Sequence, residues 1–560
     1  MSTFLEGAKR ERLRNIFGLL VPTLILALLF IYCRQDVRSI IPYVVIIILS
    51  YFAESSALTL FIGLVVGLIL YYFTTPNITL WVFWEIFEDA LLNRTNMEII
   101  MAVILMGLLL GILKYGREFF MEYAYRKNWH GKKIELIIWF VGMITFLSQY
   151  FSYLMIGLFK ELVAKARKVP REVMACYANI MSVIPCPFLM VSVWGLFISS
   201  LIPNELNKNV ILYIGNVATP IIVHSYFPVS IAVSMLSLTL TGWPSLEHYS
   251  YFDEVEPPKQ KLEYSDRTLI FLSVSFFLVP LATLVLLPVL FYSGKGTIID
   301  AIMTSILVVS SALTLILFLY MSVSTILKGV KNRLNLINIT SEIKRLIVDE
   351  FWNKDIIKSM ELNTGLILLL ILIFVINTLT RYYLGLTNSL VVSLTFILQQ
   401  FPSIASILKS LFPIILFILS CLIGYTFGSA FLTMGVLVPL VIDILPLMYS
   451  NSVYTPYAVA IGAVISGATY GNICSRVADS IFMVHGDYLS KDNISSHVFF
   501  ELLKTISSFN LLVSLFVYFL LPFFEYDGLI GVILSTLLGS LMPLVMKYKF
   551  SLSKSVEKLK

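Results

Sequence analysis

Charge is what this sequence has least of: 13% of its 560 residues are Asp, Glu, Lys or Arg, against 58% that are hydrophobic. So thin a supply of polar surface excludes an ordinary string of soluble domains. Cysteine is scarce too. Cys33, Cys176, Cys186, Cys421 and Cys474 all lie in or beside apolar segments without a regular spacing, so neither a disulfide framework nor a zinc site is expected. There is no H-E-x-x-H, no nucleophile elbow and no Gly-rich phosphate loop. Those absences argue against a membrane-embedded enzyme and against a nucleotide-driven pump, and no cofactor is expected. No small-residue cleavage motif follows the first apolar stretch, so Ile16–Cys33 reads as a retained span behind a basic tail. The net charge of +6 calls for no nucleic-acid partner, because the basic residues cluster between apolar segments.

What is present is a mean hydropathy of +0.89 and apolar segments near the length of a membrane crossing, one after another. The expected fold is all-α and polytopic, with roughly 11–14 transmembrane helices. Lys9–Arg14, Ser322–Lys358 and Lys547–Lys560 are rich in Lys and Arg. Both termini and the central linker, 322–362, are therefore expected on the cytoplasmic side of the cytoplasmic membrane. The acidic, Pro-containing loop Glu247–Asp266 fixes no side.

Three elements recur in the same order. "FWEIFEDALLNRTNMEII" from Phe83 is echoed by "FWNKDIIKSMELNTGLIL" from Phe351, each Trp-bearing and opening into an apolar span. "TFLSQYFSYLMIG" from Thr145 parallels "TFGSAFLTMG" from Thr426. "MACYANIMSVIPCPFLMVSVWG" from Met174 takes the place that "GAVISGATYGNICSRVADSIFM" from Gly462 takes later. The order suggests two inverted structural repeats, 1–240 and 266–560, joined by the hydrophilic stretch 241–265. Helices interrupted at matching places in two repeats point to a transporter's midplane site.

Hydrocarbon tolerates interrupted backbone only where it is buried in protein or lines a water-filled cavity. Gly428-Ser429 is one such break, and the hydroxyls of Ser429 and Thr433 are hard oxygen ligands for a small cation. The matching first-half break offers Ser148, Gln149 and Tyr150, and Pro185 and Pro187 end a further half-helix. In Thr469–Met483, Gly471 is expected to relax the helix, Asn472 and Ser475 to supply oxygens, and Asp479 to supply a charge. A lone carboxylate near mid-bilayer costs roughly 2.5–3.5 kcal/mol on insertion scales, so it is either paired or protonated. Burial favours its proton and a nearby cation favours its charge, and that competition suits proton–Na+ exchange. Arg476 offers the other outcome: three residues ahead of Asp479, it is spaced to form a structural pair. Glu54, Asp443 and Glu98 are weaker acidic candidates, His224 reads as a satisfied core histidine, and Glu85, Glu88 and Asp89 read as a solvated face.

At these residues the sequence resembles the NhaC-type sodium/proton antiporters of the ion-transporter superfamily. "GSAFLTMGVLVP" (Gly428–Pro439), "GNICSRVADS" (Gly471–Ser480), "FLSQYFSYLMIG" (Phe146–Gly157), "VPREVMACYANIMS" and "SVWG" (Ser192–Gly195) follow that family's signatures in order. The resemblance spans roughly Glu98–Ile202 and Ile404–Leu503. It implies a broken-helix transporter fold and a Na+ site containing Asp479. The departures are specific: the family's paired Asp falls on Ser148-Gln149, its next Asp on Asn179, the Asp of its Gly-Asp-His motif on Asn472, and a Pro on Arg476. Two functions are thus expected: Na+/H+ antiport with Asp479 as the shared binding group, or a Na+- or H+-coupled carrier of a small organic anion or amino acid anchored on Arg476. The partners are the lipid bilayer and a small ion or solute, and an oligomer is compatible with either.

Overall fold

The computed structural model of the chain describes residues 39–50, 56–75, 79, 81–127, 132–157, 159, 169–188, 192–202, 223–244, 246, 249–251, 265–275, 298–331, 336–349, 357, 364–386, 388, 400, 402–448, 455–475, 478, 480–481, 484, 488–489 and 493–557. The expectations for Ile16–Cys33, Glu54, most of the Phe351 segment, Arg476 and Asp479 fall outside these residues.

Apolar segments become helices here because hydrocarbon offers no partner for an unpaired N–H or C=O. In chain order they are α1 (Ile41–Ser50), α2 (Ser56–Thr74), α3 (Trp81–Leu91), α4 (Arg94–Arg126), α5 (Lys132–Ile144), α6 (Gln149–Gly157), α7 (Arg171–Val183), α8 (Val193–Leu201), α9 (Tyr226–Thr241) and α10 (Asp266–Ser273). They continue with α11 (Ile298–Lys331), α12 (Leu336–Lys344), α13 (Thr364–Thr378), α14 (Pro402–Phe427), α15 (Ala430–Met448), α16 (Thr455–Cys474), α17 (Asn493–Leu520), α18 (Gly528–Gly539) and α19 (Met542–Glu557). Among the described residues there is no strand. Among the described residues, six helices are long and apolar enough to cross a membrane, or up to eight if each bent pair is one span. Tyr226–Thr241, Ile367–Tyr383 and Ala430–Pro446 are shorter apolar helices.

The bends follow from sequence. Trp81–Leu91 meets Asn96–Leu109 at 61°, and Arg171–Phe188 meets Val193–Leu201 at 46°. At the second bend Pro185 has no N–H to continue the ladder. Ser192 then starts α8 afresh, accepting from the Gly195 N–H at 2.9 Å.

The core sits on α16, whose span is 83% buried, whereas Met303–Leu327 and Gly528–Phe550 are only 33% and 28% buried and face outward. α14, α15, α9, α17 and α7 all pack on α16. α16 ends at Cys474, within the Thr469–Met483 stretch, and α11 runs from Ile298 to Lys331, into the Lys/Arg-rich stretch that begins at Ser322.

Candidate functional site

Two helix breaks of the same construction face each other. After α5 the chain turns through 145–148, and the Ser148 hydroxyl accepts from the Phe151 N–H at 3.2 Å, capping α6. After α14 it turns at Gly428, whose φ of +63° is open to glycine at little cost, and the Ser429 hydroxyl accepts from the Leu432 N–H at 3.4 Å, capping α15. The backbone repeats the match: the Ser152 N–H donates to the Ser148 carbonyl at 3.0 Å, and the Thr433 N–H to the Ser429 carbonyl at 3.2 Å. Around the first break α5, α6 and α7 touch pairwise, and around the second so do α14, α15 and α16.

Between the breaks lies a small cavity of about 30 Å³. Ser148 and Gln149 line it from the first break, Gly428 to Phe431 from the second, Asn472 from α16, Val193 and Trp194 from α8, and Leu369 from α13. The Asn472 Nδ2 donates to the Gln149 Oε1 at 2.8 Å, tying the two halves across 323 positions of sequence. The Trp194 Nε1 is buried without a hydrogen-bond partner among the described residues. The Val193 N–H donates to the Leu147 carbonyl at 2.9 Å, fixing the start of α8 to the first break.

The predicted site residues thus divide. Ser148, Gln149, Ser429 and Asn472 meet at this cavity. Thr433 does not line it; its hydroxyl donates to the Ser429 carbonyl at 2.9 Å, because that carbonyl starts the new helix. Asn179 also stands behind the wall, its Nδ2 donating at 2.9 Å to the Ile473 carbonyl near the end of α16. Ser475 is buried just past that end, its N–H donating to the Gly471 carbonyl at 2.9 Å. Arg476 and Asp479 lie outside the described residues. Gly471 does not relax α16. It is a close-approach glycine, where an added Cβ would sit 2.1 Å from the Gly424 carbonyl carbon of α14.

Other weaker candidates resolve as structure. His224 is buried, with its Nδ1 2.7 Å from the Tyr226 hydroxyl. Asp443 lies within α15 and accepts from Arg381 at 2.5 Å. Asp89 is more than a solvated residue, since the Tyr383 hydroxyl donates to it. No group of three or more His, Cys, Asp or Glu suited to a metal occurs among the described residues.

Sequence reasoning gave no role to Trp194 or to Arg381. Trp194 stood inside the quoted "SVWG" signature, and Arg381 follows directly on an apolar span, so both left a signal. Arg381 lines a second, larger cavity of about 440 Å³ with Asp89, Asn93, Asn96, Ser200, Phe374 and Asn377.

No protein-family model matches the chain. It is 23% identical over 487 residues to an uncharacterized protein of Haemophilus influenzae, a match covering 80% of this chain and 84% of that one. The crystal structure of the YdaH transporter of Alcanivorax borkumensis, described as having an unusual topology, is similar over 84% of this chain and 99% of that one. The identity there is 14% and the TM-score 0.50, so the likeness is one of fold. The fold is that of a polytopic transporter, and neither comparison bears on the NhaC-type resemblance.

Proposed function

We propose that the protein is a secondary active transporter of the cytoplasmic membrane that exchanges Na+ for H+, with its ion taken up where the two helix breaks meet. One observation carries this reading: four neutral oxygen-bearing side chains, Ser148, Gln149, Ser429 and Asn472, surround a cavity of about 30 Å³. A water needs roughly 10–15 Å³ by the same kind of measure, so the space suits a small ion with a water and not an amino acid. Hydroxyl and amide oxygens are hard donors for such an ion. None of the described lining residues titrates near neutral pH. Proton coupling therefore falls to Asp479, four residues beyond Ser475, where proton and Na+ compete for one carboxylate.

The matched Ser-capped breaks and the recurring three-helix contact support a pair of inverted repeats. The basic clusters favour cytoplasmic termini.

A second reading has its own observation. The N-termini of α6 and α15 both offer positive ends to the cavity, which favours an anionic group of a solute. The two readings separate in everted vesicles. In the first, added Na+ collapses a preformed proton gradient with the parent protein and fails to do so with Asp479→Asn. A parent that leaves the gradient untouched and takes up a labelled organic anion overturns the first reading and supports the second.

A further inference from the structure

The larger cavity is not isolated from the small one. α8, α13 and α15 each run from one to the other: Trp194, Leu369 and Phe431 line the small cavity, and Ser200, Asn377 and Pro439, six to eight residues further on, line the large one. At about 1.5 Å of rise per residue the two lie roughly 9–12 Å apart along all three helices. Aromatic rings fill the interval. Trp194 meets Phe431 edge-on with centroids 6.0 Å apart, Phe431 meets Phe197 at 5.4 Å, and Phe197 meets Phe374 at 6.3 Å. The chain of rings begins on the wall of the small cavity and ends, at Phe374, on the wall of the large one. Gly435 lets it close: a Cβ there would come within 2.7 Å of Ile373 and 3.2 Å of Phe197.

The large cavity has a definite electrostatic sign. Asp89 and Arg381 are its charged lining residues among those described. The guanidinium charge is paired through its Nη2, 2.5 Å from the Asp443 Oδ1, while its Nε is buried without a hydrogen-bond partner among the described residues. Asp89 is left as the surplus, and Glu85 and Glu88 stand beside it on the exposed face of α3. Charges of that kind do not face lipid, so the mouth at Asp89 opens to the aqueous side of the interface.

We infer that the large cavity is a vestibule for hydrated monovalent cations, closed off from the inner site by the Trp194–Phe431–Phe197–Phe374 stack. The choice of a cation as occupant rests on the reading of the small cavity given above; the vestibule and its plug stand on geometry. A cation waits hydrated near Asp89 and passes inward when the rings turn aside.

Thiol labelling of the full-length protein in proteoliposomes tests this without any transport. Ser200→Cys places a thiol in the vestibule, and Ser429→Cys places one at the inner cavity. The probes are a membrane-impermeant cationic methanethiosulfonate and its anionic sulfonate counterpart, each rate divided by that for a free thiol. A net negative cleft should favour the cationic reagent at Ser200→Cys by about tenfold, and Asp89→Asn should remove most of the preference. Ser429→Cys should react more slowly than Ser200→Cys by about tenfold or more with the stack intact, and Phe374→Leu should close most of that gap. No charge preference at Ser200→Cys, or one that Asp89→Asn leaves unchanged, overturns the vestibule. Equal rates at Ser200→Cys and Ser429→Cys in the otherwise unaltered protein overturn the plug, even if Phe374→Leu does not fold. Charge-selective labelling in a protein that moves no protons on Na+ addition keeps the vestibule and overturns the antiport reading alone.

Discussion

Alanine at Gly471 should leave little folded protein. The new methyl carbon would stand 2.1 Å from the Gly424 carbonyl carbon, 2.4 Å from its Cα and 2.5 Å from the Tyr425 nitrogen. All three are backbone atoms, so no rotamer change relieves the contact. α14 and α16 would have to part by more than an ångström to restore ordinary van der Waals distances. Within a bilayer that separation is costly, because close packing at small residues is itself what holds transmembrane helices together. Overpacking of a buried site costs about 1–3 kcal/mol, and a backbone clash belongs at or above the top of that range. Gly365 is the control, since a Cβ there meets nothing within 4 Å. Gly365→Ala should be neutral or gain about 0.5–1 kcal/mol from the helix propensity of alanine. Thermal unfolding in detergent, read by size-exclusion fluorescence, separates the two. A parent-like melting temperature for Gly471→Ala would mean that α14 and α16 have slack where the geometry gives them none.

The second large effect is expected at Arg381. Its guanidinium keeps 20% of its side-chain exposure and Asp443 keeps 7%, so the carboxylate is the more buried member of the pair. Arg381→Met would strand that carboxylate. Removing one partner of a buried pair costs about 3–5 kcal/mol, most of it the penalty for the charge left behind. Asp443→Asn should cost less, because the cavity lets water reach the freed guanidinium. Arg381→Met combined with Asp443→Leu should recover most of the loss, since no unpaired charge remains. The non-additivity in a double-mutant cycle is the readout. Losses that simply add would show that the two side chains do not depend on each other.

Much of this site was legible one break at a time. Gly428-Ser429 announced itself because a glycine followed by a capping serine, set in an apolar run, has few other uses, and φ at Gly428 is indeed positive. Ser148-Gln149 announced itself by polarity alone. Gly471 was misread for a physical reason: a glycine inside a helix marks either a loosened backbone or a close neighbour, and only Gly424, 47 positions away, decides which. That the Thr433 hydroxyl donates to the Ser429 carbonyl could not be read from the sequence, because the donation depends on where the new helix starts. The Asn472–Gln149 bond and the Arg381–Asp443 pair are tertiary facts. Nothing in either segment alone encodes its partner.

Ser148 and Ser429 come from separate halves of the chain, and the account stands on their meeting at one ion-sized space. Cysteine at both positions turns that meeting into a soft two-thiolate site, which a Cd2+ titration of purified protein reads through thiolate-to-cadmium absorption. The account predicts that Ser148→Cys with Ser429→Cys binds Cd2+ more tightly than either single variant or the parent, by about tenfold or more, and that Na+ weakens the binding. A double variant whose titration is only the sum of the two singles would contradict it.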